Sequence, residues 1–271
     1  MKAPELEILI ATMNRTTLDF LYRMFRDAEL EACAVLIINQ TTEDQLLKSP
    51  NGNIRVINSF EKGLSKSRNL AIANAIGEIC LVADDDVCFL PEFQQRIKEA
   101  YANHPEAAVI CFQTLTPDGS FYSNYAGAPK ELTRRNIKKI LSIEVSFKPG
   151  ALREKAVIFN EWFGLGGIFE DAETFFFLRE VIAKKVKALY YPAPVGVHKM
   201  YSSSDAVETD RVVRARTAAY YKAYKGRAYF LLMKYVVFLW RKGYITLREM
   251  PGKVRTGLKG IRDFKYLTRV S

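Results

Sequence analysis

Apolar residues fall along this chain in short unbroken runs separated by segments of helical period, and that alternation predicts the elements. Residues 6–12 read as a buried first strand. An amphipathic helix follows through about Asp27, with Leu18, Phe20, Leu21, Met24 and Phe25 recurring at helical spacing. Further strand-like runs occupy residues 34–39, 54–58, 78–83, 107–112 and 143–147, the last ended by Pro149 and Gly150. Between them a helix over residues 63–76 is entered through a glycine and serines, with Gly77 placed to stop it, and another runs from about Pro91 to Asn103. Residues 122–140 are polar, basic and aperiodic, and read as a loop region that orders around substrate. Strand and helix repeated in this way predict an α/β fold with a mostly parallel central sheet flanked by helices, built from right-handed crossovers. Ligands on such sheets bind beyond the carboxyl ends of the strands, where Asn14, Asn39 and Asp84 to Asp86 fall.

Composition changes this picture mainly at the C-terminus. The 271 residues are 49% hydrophobic and 26% charged, the balance of an ordered protein. The net charge of +10 is uneven: residues 206–271 hold sixteen lysines and arginines against four acids, and the rest is close to neutral. The main body therefore lacks the basic face of a nucleic-acid binder, and no nucleic-acid partner is expected. The chain divides on this reading into a domain over residues 1–205 and a basic helical extension over residues 206–271. The longest apolar stretch, residues 228–240, is too short to span a bilayer, and no signal-peptide segment opens the chain, so a cytoplasmic protein is expected. Cys33, Cys80, Cys88 and Cys111 stand singly in apolar runs, as reduced core cysteines do.

Candidate chemistry concentrates in two stretches. Asp84, Asp85 and Asp86 follow an apolar run directly, and three adjacent like charges repel unless a cation sits among them. Hard oxygen ligands there suit magnesium or manganese bridging to phosphates. The alternative is a solvated acidic turn, with Asp86 capping the helix that begins near Pro91. Farther on, Gly164, Gly166 and Gly167 precede Glu170, Asp171 and Glu173 at the start of an apolar helix. These acids either complement the helix dipole or include a general base that takes a proton from a hydroxyl. Of the two histidines, His104 reads as part of a helix-end turn, and His198 as either a strand-end surface residue or a metal ligand.

In order and spacing these parts resemble glycosyltransferase family 2, over roughly residues 6–204. The matching segments are residues 8–15, the Gly63-Leu-Ser-Lys-Ser-Arg-Asn69 helix start, Ala83 to Asp86 in the place of a DxD motif, and Phe163 to Gly166 followed by Glu170, Asp171, Glu173 and Arg179. The resemblance implies the GT-A fold and an inverting, metal-dependent transfer from a nucleotide sugar to a hydroxyl of a saccharide or lipid-linked acceptor in surface polysaccharide synthesis. It places Thr12, Asn14, Arg15, Asn39, Arg68, Asp84 and Asp85 at the nucleotide, with Asp84 near the ribose or base. Asp86 and His198 would hold manganese or magnesium, Asp171 would be the catalytic base, and Glu170 would support it or the acceptor. One departure is that the second strand ends in Asn39 where many members have a base-reading aspartate, although uridine remains the first choice.

The tail leaves two readings open. Its aromatic, basic helix suits an anionic membrane surface, reached through Tyr229, Tyr235 and Trp240, which would make the protein peripheral at the inner membrane face. Alternatively it packs on the catalytic domain or forms a homo-oligomer, with residues 252–271 surface-bound or flexible. Competing functions are a nucleotide-binding assembly module without turnover and a metal-dependent nucleotidyltransferase, the latter lacking a glycine- and arginine-rich loop near the first strand.

Overall fold

In a computed structural model, which describes residues 3–25, 30–199 and 206–270, the apolar runs align into a mixed nine-stranded sheet. The chain forms two units, one of Met1–Asn160 with Thr174–Met200, the other of Glu161–Glu173 with Tyr201–Ser271. The segment bearing Glu170 and Asp171 thus groups with the C-terminal helices.

In the first unit, β1 (Leu6–Met13), β2 (Ala34–Gln40), β3 (Ile54–Ser59) and β4 (Ile79–Asp84) run parallel in the order β3-β2-β1-β4. Successive side chains of a strand face opposite sides, and both sides of these strands are covered. Ile8 and Ile10 therefore join one core cluster with Ile37, Leu81 and Phe93, while Leu9 joins another with Leu36, Cys80, Val82 and Phe177. Beyond β4 the sheet is mixed. In chain order the remaining strands are β5 (Cys88–Phe89), β6 (Val109–Leu115), β7 (Lys130–Glu131), β8 (Val145–Phe147) and β9 (Ala188–Val197). β8 runs antiparallel between β4 and β6, β9 parallels β6, and β5 and β7 pair antiparallel with β9.

Several elements differ from expectation for physical reasons. The strand expected over residues 143–147 starts only at Val145, because Ser142–Glu144 turns as a 3-10 helix. Pro149 opens a short helix, α4 (Pro149–Glu154), for which its fixed φ is preset. The preceding helices are α1 (Asp19–Met24), α2 (Leu64–Asn74) and α3 (Phe93–Asn103), and α5 (Glu173–Ala183) comes after. The rest of the first predicted helix, to Asp27, lies outside the described residues. Gly77 does not terminate α2, which ends at Asn74. It makes room instead: a Cβ there would stand 2.7 Å from the Cβ of Glu7. That buried carboxylate receives Ile76 N–H, Gly77 N–H (2.8 and 3.0 Å) and the Arg55 guanidinium (2.6 Å).

In the second unit, α6 (Asp210–Tyr224), α7 (Ala228–Arg241) and α8 (Met250–Val270) enclose Val213, Leu232, Val236, Leu239 and Ile261. Residues 252–270, expected to be surface-bound or flexible, are the bulk of α8. Two glycines let it close in: a Cβ at Gly260 would stand 2.2 Å from Arg214 O, and one at Gly257 2.3 Å from Leu232 Cδ1. Phe264 of α8 meets Trp162, Phe163 and Phe169, which ties residues 161–173 to this bundle. Among the described residues no helix is long and apolar enough to cross a membrane.

Candidate functional site

Strand register brings the first set of residues together. Thr12 of β1 pairs with Asn39 of β2, and Ala11 with Asp84 of β4, so three strand ends lie side by side. Just past β1, Asn14 takes a left-handed conformation (φ 53°), and its N–H reaches Gln40 O at 2.8 Å. Asn39, completely buried, clamps this bend by accepting from Arg15 N–H and donating to Arg15 O, both at 3.0 Å. Its amide also donates to Asn58 Oδ1 at 3.0 Å. Asn39 therefore shapes the loop through its side chain, and Arg15 is the residue the loop presents.

Each carboxylate of the triplet has a different partner. Asp84 pairs with Arg68 of α2 at 2.9 Å, and the Arg68 guanidinium lies over the Phe159 ring. Asp85 Oδ2 receives Arg15 Nε and Nη2 at 2.9 and 2.7 Å and the Thr12 hydroxyl at 2.5 Å. Asp86 lies 3.3 Å from His198 Nε2 at the end of β9. That hydrogen bond lowers the Asp86 pKa and raises that of His198, burial working against both shifts. The capping alternative for Asp86 does not hold, since Glu92 occupies the N-cap of α3. The Tyr201 to Ser204 segment after His198 lies outside the described residues.

Behind the triplet is a carboxylate that the sequence reading missed. Glu144 is fully buried; the Tyr125 hydroxyl donates to its Oε1, and Leu141 N–H donates to Oε2 at 2.9 Å. Burial pushes its pKa up to about 7. Two residues earlier, Ser142 Oγ reaches Asp84 Oδ2 at 3.5 Å. The available signal was one glutamate inside an otherwise strand-like apolar run. Its hydrogen-bond partner, Tyr125, stood in the region expected to be a loop.

The second unit carries the other acidic motif. Gly164 and Gly166 adopt positive φ (100° and 73°), and Gly164 N–H to Phe169 O with Phe169 N–H to Trp162 O closes the loop. Three arginines of α6 hold the end of this loop and the acids beyond it. Arg211 pairs with Glu170, Arg214 donates to Ile168 O at 3.0 Å, and Arg216 Nε meets Asp171 Oδ2 at 2.9 Å. Asp171 also accepts Ala172 N–H at 2.8 Å, and Arg216 continues to the Tyr235 hydroxyl at 3.1 Å. Of the three acids only Glu173 lies within α5, so the helix-dipole explanation applies to it alone. Arg179 of α5 lies over the Phe175 ring.

Among the described residues no group of three or more His, Cys, Asp or Glu converges as a metal site. Beside the triplet, Asp86 with His198 offers an oxygen and a nitrogen donor together.

Comparison with known proteins fits this geometry. S. aureus TarS is 17% identical over 96% of this chain and 48% of its own, with a TM-score of 0.57, so the present chain spans about half of that protein's length. The S. aureus TarS 1–349 fragment in complex with UDP-GlcNAc is 16% identical over 96% of this chain and 80% of that one, with a TM-score of 0.59. The same fragment in complex with UDP is 16% identical over 95% and 81%, with a TM-score of 0.53. These likenesses show the GT-A fold. No curated protein matches the chain. The family model described as Glycosyl transferase family 2 matches residues 8–158, more than half of the chain and all of the segments that bear Thr12, Arg15, Arg68 and the acidic triplet, and the chain belongs to that family.

Proposed function

We propose that this chain is an inverting glycosyltransferase that moves a sugar from a nucleoside diphosphate sugar to a hydroxyl of a saccharide or lipid-linked acceptor in surface polysaccharide synthesis. The observation that carries the reading is the convergence of the Thr12 to Arg15 loop, Arg68 and Asp84 to Asp86 at the carboxyl ends of parallel strands, where such sheets bind nucleotides. Uridine is the favoured base, supported by the structural likeness to a protein solved with UDP-GlcNAc.

Asp84 and Asp85 with Arg15 bind and orient the nucleotide, the Arg15 fork suiting a diphosphate. A divalent cation, manganese or magnesium, would be held by Asp86 and neutral His198, which offer an oxygen and a nitrogen donor. Such a cation, when bound, neutralises charge on the departing nucleoside diphosphate. Asp171 acts as the base, its carboxylate oriented by Arg216 and Ala172 N–H, and Glu170 supports the loop. The acceptor oxygen attacks the anomeric carbon from the side opposite the leaving group. The bond from that carbon to the phosphate oxygen breaks, its electron pair leaves with the nucleoside diphosphate, and the hydroxyl proton ends on Asp171. The product is inverted. We place the reaction on the cytoplasmic side, with the protein peripheral at a membrane.

Release of UDP from a panel of UDP-sugars, with manganese and candidate acceptors, is the test. Asp86→Ala is expected to abolish turnover, and a variant as active as the parent would overturn the assignment. Nucleotide binding without turnover on any sugar or acceptor would point to a binding module.

A further inference from the structure

α7 is apolar almost all the way round, yet only one of its faces is covered. Ala228, Leu232, Tyr235, Val236 and Leu239 are buried within the second unit. Phe230, Met233, Val237 and Trp240 are exposed, Phe230 by 66%, and helical spacing puts them on the opposite side. Tyr244 and Leu247 extend the stripe beyond the helix. Residues 229–247 hold eight of the twenty large apolar side chains that are exposed among the described residues. A helix of this composition is ordinarily buried on all sides, and a contiguous exposed patch of this kind marks an interaction surface.

Charge selects the occupant. From Arg211 to Arg248 the sequence has ten lysines and arginines and no aspartate or glutamate, and Lys234 and Arg241 flank the apolar stripe on α7. Two copies pairing face to face through this stripe would set those cations against their own counterparts, with no acid of this stretch to meet them. A bilayer bearing anionic headgroups supplies both an apolar interior and negative charge. The 14 residues of α7 measure about 21 Å at 1.5 Å per residue, which suits a helix lying in the membrane plane. Tyr229, Trp240 and Tyr244 are the residue types that settle at headgroup level.

We infer that the exposed Phe230–Met233–Val237–Trp240 face of α7, flanked by Lys234 and Arg241, seats the protein on an anionic membrane surface. The inference rests on the peripheral placement proposed above and assigns it to one helix face. It is tested by sedimenting the full chain with vesicles of phosphatidylcholine alone or mixed with phosphatidylglycerol. Flanking basic side chains near the surface are expected to raise partitioning onto the anionic vesicles on the order of a hundredfold at low salt. The gain should shrink as salt screens the headgroups.

The double variant Phe230→Glu with Val237→Glu alters exposed positions only. Circular dichroism should show an unchanged fold, and binding to anionic vesicles should fall about tenfold or more. Equal affinity for the two vesicle types, or no binding to either, would overturn the inference. So would a dimer in sedimentation velocity that the double variant dissolves, which would identify a second copy as the occupant. UDP release measured on the same samples separates the two proposals. Vesicle binding without any turnover refutes the transferase assignment alone, and turnover without vesicle binding refutes the membrane surface alone.

Discussion

Replacing Glu144 with glutamine is expected to remove a pH dependence from the stability of the first unit. The carboxyl is fully buried, and its pKa rises from an ordinary 4.5 to about 7. Unfolded chains release this proton near pH 4.5, whereas the folded protein keeps it until about pH 7. Between those values the folded state binds one more proton than the unfolded state, so stability falls as pH rises through the window. Each pH unit is worth ~1.4 kcal/mol, which gives about 3 kcal/mol lost between pH 4.5 and 7, with no further change above. Glutamine mimics the protonated acid: its oxygen accepts Leu141 N–H, and its amide faces the Tyr125 hydroxyl, which turns from donor to acceptor. The variant should exceed the parent by less than about 1 kcal/mol at pH 5 and by up to about 3 kcal/mol at pH 8. Urea unfolding across this range, followed by far-UV circular dichroism, measures the difference. Tryptophan fluorescence would follow the wrong unit, because Trp162 and Trp240 both belong to the second. His198, whose pKa is raised, also contributes stability that is present below pH 6.5 and lost as pH rises through its folded value. Subtracting the variant cancels that contribution. A parent-minus-variant difference that stays constant from pH 5 to 8 refutes the reasoning.

Other substitutions probe the two acidic clusters and the helix packing. Arg15→Ala removes the partner of Asp85 and the exposed fork of the loop; UDP affinity measured by calorimetry should fall about tenfold or more, and unchanged affinity would remove Arg15 from the nucleotide site. Asp171→Asn should lower kcat by about 10²–10⁴-fold with UDP affinity retained, and undiminished kcat would exclude Asp171 as the base. Gly260→Ala forces a Cβ against Arg214 O and should destabilise the second unit by about 1–3 kcal/mol. Here the fluorescence of Trp162 and Trp240 is the suitable probe, and an unmoved urea midpoint would show that α8 does not need the glycine.

The parts of the fold legible in the sequence were those whose signal is local. β1, β2 and β4 are buried on both faces and read as continuous apolar runs. β5 and β7 are only two residues long, too short to show any period, and although β8 fell within the strand expected over residues 143–147, its antiparallel pairing left no local signal. α8 was expected to be surface-bound or flexible; glycine is a poor helix former, yet Gly257 and Gly260 are what allow it to approach α6 and α7. The acidic triplet was legible as a motif, but its partners were not. Arg15 reaches Asp85 from 70 residues away, and Arg211, Arg214 and Arg216 reach the second motif across 41, 46 and 45 residues. Separations of that size are a property of the topology and leave no spacing in the sequence to read.

The expectation that three adjacent aspartates require an outside cation was incomplete, because the fold supplies an internal partner for each. The burial of those partners separates the roles under the proposed function. Arg68 is 3% exposed and its pair with Asp84 is costly to break, so that pair holds α2 to β4. Arg15 is 36% exposed, and a half-buried ion pair open to solvent is held by less net energy than a buried one, so under that function a diphosphate takes its guanidinium in exchange for Asp85. On that proposal Asp85, beside its part in binding the nucleotide, also holds Arg15 and Thr12 in place between ligands. Asp86 is 60% exposed beside a largely buried His198, which makes it the member of the triplet most open to an incoming ligand. Under the proposed function Asp86 and His198 would therefore hold a divalent cation at the cost of one hydrogen bond between them, apart from the arginine pairs that shape the nucleotide loop and hold α2 to β4.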